Sequence, residues 1–385
     1  MKGHLRERSP GHWAIILDAK DAVTGERKRR WHSFKGTKRQ AQVECARLIA
    51  EQQSGGAIEP DKVTVAEFLD RFERDWICTH VSAHSCERYQ FALNHVRRHL
   101  GARPLQKLRP ADLAAFYATL AREALAPRTI RLIHTVLHRA LGQAKAWGVI
   151  RDNPADLARP PKAPDRETQM LQPDEARQLL ERLRHHPLYL LVSLALATGA
   201  GRSEMLGLRW QDVDLEAGRL TVERALEETR AHGIRIKGPK TKHGYRTIAL
   251  PPHIVAELRQ HWAAQQEQRL GMGLGKAPEA APVFAAADGR LLSPNARSKA
   301  WPRIMAGIGM PQVTLHSLRH THASMLIASG VDILTISRRL GHSSPTITLG
   351  VYGHLIAGTD DRAAQIMEAA FGSKMVAGSD GKPGK

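Results

Sequence analysis

Hydrophobic positions in the middle of the chain recur every three to four residues, which is the period of a helix with one buried face. Thr64 is followed three residues later by Glu67, a spacing that forms a capping box at the start of a helix. Gly101 is placed to end a later helix, and Pro110 to open another. These signals predict an all-helical domain over residues 63–158.

At the amino terminus apolar and polar positions give the signals of strands instead. The segments "HWAIILDA" and "RKRRWHSF" are read as two strands around a turn at Thr24-Gly25. Thr37 and Gln40 then form a capping box for a helix that runs to about Gln53. Residues 1–58 are therefore expected to form a small β/α module, followed by a linker in "SGGAIEP" (54–60).

A proline-rich stretch, "ARPPKAPDR" (158–166), is expected to be an extended linker, because three prolines in nine residues disfavour a regular element. Beyond it Pro173 opens a helix, and "LYLLVSLALATGA" suits a buried helix. The segments "GRLTVER", "IRIKG" and "YRTIALP" read as short strands. This pattern predicts a mixed α+β domain over residues 166–372, with a disordered tail at 373–385. The fold class is therefore multidomain and mainly α with small β-sheets.

Charge narrows the choice of partner. The 385 residues carry 57 Lys and Arg against 38 Asp and Glu, a net charge of +19 with histidine neutral. Such an excess favours a polyanion, because Lys and Arg release counterions from phosphates. An anionic membrane is the competing partner, but the longest apolar run has only 13 residues and no amino-terminal signal pattern is present. Nucleic acid is therefore favoured, and the three cysteines, which lack metal-ligand spacing, suit a reducing cytoplasm.

Two basic stretches are candidates for DNA contact, and each has a plainer alternative. The strand segment "RKRR" could enter a DNA groove, or it could be a solvated basic edge strand. Its candidate residues are Arg27, Lys28, Arg29 and Arg30. Arg128 and Arg131 lie on a basic helix that either follows the phosphates or is simply solvated.

The candidate chemistry lies near the carboxyl end. In "HSLRH", His316 and Arg319 are three residues apart and share a helix face, an arrangement that suits an anion such as phosphate. His316 and His320 have the spacing of helical zinc ligands, but Ser317 stands where such sites carry Glu and no third ligand is evident. No metal is therefore expected, and His320 and His322 are interpreted as structural histidines.

Tyr352 is one of only five tyrosines in the chain. Alone it would be a packing or surface aromatic, because a phenol with a pKa near 10 is a weak nucleophile at neutral pH. Chemistry at Tyr352 would require nearby cations and a proton acceptor. Lys242, in "PKTKHGYR", is placed on a turn between two predicted strands, where its ammonium group could reach a cleft.

Four motifs occur in order over some 160 residues: "ATGAGRSEMLGLRWQDVDL", "PKTKHGYRTIALP", "LHSLRHTHAS" and "LGHSSPTITLGVYGHL". Together they resemble the signature of the tyrosine recombinase (phage integrase) family, over about residues 166–372. The helical middle is similar to that family's core-site-binding domain. The amino-terminal module is similar to the arm-site-binding module of phage-type integrases.

The resemblance implies a role for each matching residue. Tyr352 would attack a DNA phosphodiester, leaving a 3′-phosphotyrosyl bond and a free 5′-hydroxyl. His316 and His342 would exchange protons and bind the phosphoryl oxygens, while Arg319 would hold those oxygens. Lys242 would protonate the leaving 5′ oxygen, and cations would replace a metal, so that no cofactor is implied.

One position departs from the family pattern Thr-Gly-x-Arg-x-Gly/Ser-Glu. Counting from Thr198 or back from Glu204, the first family arginine falls on Gly201, with Arg202 beside it. Three interpretations stay open: an impaired variant that still binds its sites, a local bend that brings Arg202 to the phosphate, or slow cleavage through the remaining groups. The first is the hypothesis preferred here.

The main functional interpretation is a site-specific recombinase that serves a phage, genomic island or similar mobile element. Its expected partners are double-stranded DNA at attachment sites, further copies forming a tetramer on DNA, and host or phage factors that bend DNA or set directionality. It would be DNA-associated in the cytoplasm of a bacterial or phage-infected cell. The alternatives are a non-catalytic DNA-binding homologue, a topoisomerase, which the arm-like module disfavours, and a metallohydrolase resting only on the histidine pair.

Overall fold

The computed structural model describes residues 2–20, 27–53, 63–164, 169–353 and 364–372. The chain divides into two compact units, Met1–Asp165 and Arg166–Lys385. The predicted turn at Thr24-Gly25, the linker at 54–60 and the tail at 373–385 lie outside the described residues.

The amino-terminal part is an antiparallel sheet covered by one helix. Its strands β1 (Lys2–Ser9), β2 (His12–Lys20) and β3 (Arg27–Lys35) pair in that order, and α1 (Lys38–Gln53) follows. Because side chains alternate across a strand, Ile15 and Leu17 of β2 share a small core with Cys45 of α1. Strand β1 was not predicted from the sequence.

The other face of the sheet carries Trp31, which is 51% exposed. The guanidinium of Arg8 lies 5.6 Å from the centre of the Trp31 ring. This face of the sheet therefore presents an aromatic ring with a cation beside it.

The rest of the first unit is all-helical, as predicted. Its helices are α2 (Val65–Phe72), α3 (Cys78–His80), α4 (Ala83–Leu100), α5 (Pro110–Arg122) and α6 (Pro127–Ala146). Thr64 and Glu67 form the expected capping box, with the backbone N–H of Thr64 donating to the Glu67 carboxylate at 2.8 Å. The predicted apolar face of α6 is buried from Ile130 to Ala144.

The second unit contains small sheets among helices. Its helices are α7 (Pro173–Leu183), α8 (Tyr189–Thr198), α9 (Arg202–Gly207), α10 (Pro252–Gly271), α11 (Pro294–Gly307), α12 (Leu315–Ala328), α13 (Ile333–Leu340) and α14 (Pro345–Tyr352). Its strands are β4 (Val213–Asp214), β5 (Arg219–Val222), β6 (Ala225–Thr229), β7 (Gly233–Lys237) and β8 (Arg246–Ala249). The fold class predicted from the sequence is confirmed.

The turn predicted at Lys242 connects two different sheets. Strand β7, which comes before the turn, pairs with β6, whereas β8, which follows it, pairs with β5. Strand β6 was not predicted from the sequence, so the partner of β7 was not predicted either. Within the described ranges, the structure contains no helix of the length and hydropathy that a membrane crossing requires.

Candidate active site

Tyr352 is the last residue of α14 and lies below the protein surface. Helix α13 ends at Gly341, whose φ of 72° is left-handed, and the chain then turns into α14, where the Ser344 hydroxyl accepts from the Thr346 N–H. The Tyr352 side chain is 1% exposed and packs in a cluster with Ala323, Ile336 and Leu340. Tyr352 is thus a core residue in this conformation, whatever chemistry it performs.

The hydroxyl of Tyr352 lies 2.7 Å from Nδ1 of His320. Burial raises the pKa of Tyr352 to about 12, although the charge of Arg319 opposes the shift. Burial also lowers the pKa of His320 to about 4, assisted by repulsion from His316 when that ring is protonated, from Arg319, and from His342 when protonated. Both groups are therefore neutral near pH 7, and the phenol donates to Nδ1 in the tautomer of His320 that carries its proton on Nε2. The sequence interpretation of His320 as only structural missed this contact.

Helix α12 carries His316, Arg319 and His320 on adjacent turns. Its start is capped by the Thr314 hydroxyl, which accepts from the Ser317 N–H. The rings of His316 and His320 are 4.4 Å apart in an edge-on arrangement. Burial, and then the charge of Arg319, lower the pKa of His316.

Arg319 donates to two backbone carbonyls at helix ends: Gly199 O at 2.8 Å and Leu340 O at 2.5 Å. Burial lowers the pKa of this guanidinium, which also interacts electrostatically with Tyr352. A guanidinium has five N–H donors, so these two bonds leave donors for a phosphate. Arg319 therefore joins the ends of α8 and α13 beside the tyrosine.

His342 follows α13 and faces the same charges. Its Nδ1 lies 2.8 Å from the Thr348 hydroxyl. Burial lowers the pKa of His342 to about 4, with contributions from Arg319, Arg246 and His316. Of the residues that the resemblance singled out, Tyr352, His316, Arg319 and His342 thus share one electrostatic neighbourhood.

A buried ion pair supports this neighbourhood. Arg246 of β8 donates to both carboxylate oxygens of Glu204 at 2.9 and 2.8 Å, and to Arg339 O at 2.7 Å. Burial raises the pKa of Glu204, but its bonds to Arg246 outweigh that effect and the net pKa is lowered. Glu204 and Arg246 both lie in the quoted motifs, but their pairing was not predicted from the sequence.

His322 is a structural histidine, as interpreted. Its Nδ1 lies 2.7 Å from Leu196 O, and its Nε2 accepts from Arg339 at 3.1 Å. Burial lowers the pKa of His322 to about 4, so the ring is neutral in the folded chain.

Gly201 caps the amino end of α9 with an extended backbone, φ −71° and ψ 153°. A Cβ placed there would meet Glu204 as its nearest neighbour at 3.6 Å, an ordinary contact. The guanidinium of the adjacent Arg202 donates to the Ser298 hydroxyl on α11 and interacts with the charge of Glu228. Arg202, which follows the position that lacks the family arginine, is thus held by α11.

Lys242 is exposed and begins a short 3-10 turn, Lys242–Gly244, between β7 and β8. A Cβ placed on Gly341 would lie 3.0 Å from the His243 carbonyl oxygen, so this turn abuts the residue before His342. The described contacts include none between Lys242 and Tyr352, so the role of Lys242 stays a prediction.

The DNA-binding candidates are distributed over both parts of the first unit. Arg128 and Arg131 are exposed on α6, in one stripe with His138 and Arg139. Arg29 is exposed on β3, whereas the side chains of the other three basic residues there (27, 28 and 30) lie outside what the structure describes. Within the described ranges, no three His, Cys, Asp or Glu residues cluster in a way that could hold a metal ion.

Comparisons with known proteins find integrases. The model of the phage integrase family matches residues 169–357. An integrase of Streptomyces ambofaciens is 30% identical over 356 residues, covering 87% of each chain.

Two solved structures share the fold. The Tn1549 transposon integrase in complex with transposon right end DNA has a TM-score of 0.67 at 21% identity, over 80% of this chain and 99% of that one. A lambda integrase tetramer bound to a Holliday junction has a TM-score of 0.53 at 20% identity, over 88% and 92%.

Proposed function

The chain belongs to the phage integrase family of tyrosine recombinases, and on that premise we propose that Tyr352 is its DNA-cleaving nucleophile. As a member it is a tyrosine-type site-specific DNA recombinase, and the resemblance predicted from its motifs is confirmed. The observation that carries the residue assignment is that Tyr352 lies in one basic cluster with His316, Arg319 and His342.

In the proposed step the Tyr352 oxygen bonds to phosphorus and the bond from phosphorus to the 5′ oxygen breaks. The phenol proton passes to a neighbouring base, and Lys242 donates a proton to the leaving 5′ oxygen. Arg319, His316 and His342 stabilise the charge that develops on the phosphoryl oxygens. The energy of the broken bond is retained in the phosphotyrosyl ester, so resealing requires no ATP and a different 5′-hydroxyl can attack.

The proposed nucleophile has to move before it reacts. With its side chain 1% exposed, Tyr352 cannot meet a backbone phosphate in the conformation described. We therefore infer that α14 shifts when DNA is bound. The helix is short, from Pro345 to Tyr352, and its exposed side carries Ile347 and Leu349.

Gly201 is proposed to limit the rate of this reaction. Loss of one preorganised donor to a transition state costs on the order of 10²–10³ in rate. Arg202 is bound to Ser298, which argues against its acting in place of the missing arginine. The same observation favours a second candidate function, a homologue that occupies its sites and cleaves poorly.

The proposed division of labour follows the predicted domains. Residues 1–58 would bind arm sites through the sheet face that carries Arg29 and the Trp31–Arg8 pair, since a cation and an aromatic ring suit phosphates and bases. Residues 63–158 would bind core sites through the exposed stripe of α6, and residues 166–372 would catalyse.

Assembly on DNA is proposed to be tetrameric, because recombination joins two duplexes. The lambda integrase of similar fold forms a tetramer on a Holliday junction. Residues 364–372 expose Ile366, Met367 and Phe371, which gives the segment after Tyr352 an apolar surface for docking on a neighbouring copy. DNA-bending and directionality factors remain proposed partners.

The test uses nicked duplexes carrying the attachment-site junction of the element that encodes the chain. Cleavage beside the nick releases a short strand and traps the covalent complex, which resists denaturant. We expect the adduct to form and to disappear in Tyr352→Phe, while Tyr245→Phe, at an exposed tyrosine, retains it. An adduct that persists in Tyr352→Phe would show that another residue is the nucleophile.

A further inference from the structure

His320 makes a contact that none of the assigned roles uses. It lies beside Arg319 on α12, and its Nδ1 is 2.7 Å from the Tyr352 hydroxyl. The two rings are tilted, with their centres 5.5 Å apart. The side chain that meets the reacting oxygen is therefore neither of the two histidines expected to assist.

The hydrogen bond matters because the hydroxyl is buried. The Tyr352 ring packs against apolar side chains, including Ala323, Ile336 and Leu340, which would hold a phenylalanine equally well. A buried O–H without an acceptor is costly, so the partner of this hydroxyl decides how stable the buried position is. In the described residues that partner is His320.

The surroundings of His320 keep it an acceptor. His316 lies edge-on against it, and the charge of Arg319 acts on it, as does His342 when that ring is protonated. These neighbours disfavour a positive charge on His320, so the ring stays neutral and keeps one unprotonated nitrogen. In the tautomer that carries its proton on Nε2, this nitrogen is Nδ1, which accepts from the phenol.

We propose that His320 is a positioning residue for the nucleophile: its Nδ1 holds the Tyr352 hydroxyl inside the protein until the scissile DNA phosphate replaces it as the partner of that hydroxyl. The proposal rests on the proposed role of Tyr352. It assigns to His320 control over how often the tyrosine leaves its buried site.

The test measures exposure of Tyr352 directly, in the full chain without DNA. Tetranitromethane nitrates exposed tyrosines, and peptide mass spectrometry gives the rate at each of the five. Tyr245, which is 54% exposed, is the internal standard. In His320→Leu we expect Tyr352 nitration relative to Tyr245 to rise about fivefold, the change in equilibrium constant that loss of one neutral hydrogen bond gives.

Two further variants separate positioning from general loosening. His320→Asn places an amide oxygen near the position of Nδ1 and should restore a rate close to that of the unchanged protein. Ser324→Ala removes a side-chain hydrogen bond one turn later on α12 and should leave Tyr352 nitration unchanged. Tyr117, which is buried in the other unit, reports any global unfolding.

If His320→Leu does not fold, His320→Gln replaces it, because its longer side chain displaces the acceptor and Tyr352 should then be nitrated faster than in His320→Asn. Equal nitration of Tyr352 in the folded His320 variants and in Ser324→Ala would overturn the proposal. Nitration needs no DNA, so this result is independent of the adduct test. Only the adduct test decides whether Tyr352 is the nucleophile, and an adduct that still forms in Tyr352→Phe would refute that assignment.

Discussion

Gly201 occupies a position whose backbone suits any residue. Its φ of −71° and ψ of 153° are ordinary for a residue that caps a helix, and its N–H donates to the Glu204 carboxylate at 2.8 Å. That bond comes from the backbone, so it does not depend on the identity of the side chain. The absence of a side chain here is therefore a chemical change rather than a requirement of the fold.

We expect Gly201→Arg to raise the rate of adduct formation by about 10²–10³, because it restores a donor to the transition-state phosphate. The nearest atom to the new Cβ is at 3.6 Å, so the variant should fold. Single-turnover trapping on the nicked substrate measures the rate. Gly201→Lys is the matched control: it adds charge without the planar fork and should recover less.

An unchanged rate in Gly201→Arg would mean that the site does not lack a donor. Arg202 would then have to leave Ser298 on DNA binding, which Arg202→Ala would reveal as a loss of rate.

At the scale of elements, helix α6 combines a buried apolar face with an exposed basic stripe. Ile130 and Ile133 are fully buried, whereas Arg128 and Arg131 are exposed. The two sets follow from helical periodicity, so a side chain on the stripe can change without affecting the core.

We expect Arg128→Gln and Arg131→Gln each to weaken binding to duplex DNA and to reduce the slope of log affinity against log salt by about 0.9, the value for one lost phosphate contact. Fluorescence anisotropy over a series of salt concentrations measures both. Arg122→Gln, at an exposed arginine on α5, is the control. A slope as steep as that of the control would mean that α6 is solvated rather than bound.

Elements with a regular apolar pattern were predicted from the sequence, and a strand without such a pattern was not. Helix α2 carries its capping box within four residues, and the apolar stripe of α6 is complete in itself. Strand β6 ("ALEET") contains two glutamates among its five residues and so lacks the alternation of a strand. Glu227 is buried there because it pairs with Lys237 of β7 at 2.5 Å, a contact that exists only in the folded chain.

In the candidate site, too, the residues were predicted from the sequence but the contacts between distant residues were not. Spacing within "HSLRH" put His316 and Arg319 on one face, and the family motifs pointed to Tyr352. The contact of Tyr352 with His320 joins residues 32 positions apart in different helices. The pair of Arg246 and Glu204 spans 42 positions. No local pattern encodes such contacts, because they arise only when the helices pack.

At the scale of the whole molecule, the second unit folds around neutral histidines. The pKa of His320, of His322 and of His342 is lowered to about 4, first of all by burial. In an unfolded chain each histidine titrates near 6.5. Between pH 6.5 and 4 the unfolded state therefore binds more protons than the folded state.

Stability should consequently be fully present above pH 6.5 and should fall as pH decreases towards 4. We expect the melting temperature of the full chain, measured by calorimetry, to decrease across this window. His322→Asn should make the decrease shallower, while His253→Asn, at an exposed histidine of α10, should not. A melting temperature that stays constant from pH 6.5 to 5 would contradict the assignment of neutral buried rings.

The Arg319 side chain stabilises the ends of two helices by donating to the carbonyls of Gly199 and Leu340. Position 201, in contrast, contributes to the fold only through its backbone. The two phosphate-binding positions of the family pattern are thus unequal in what their loss would do. If selection for strand exchange ceases, the arginine at position 201 can be lost while the protein still folds. Loss of Arg319 would destabilise the fold, and selection would remove such variants. Loss of activity in such a recombinase should therefore begin at position 201. The result would be a folded DNA-binding protein that still carries the other motifs of the family.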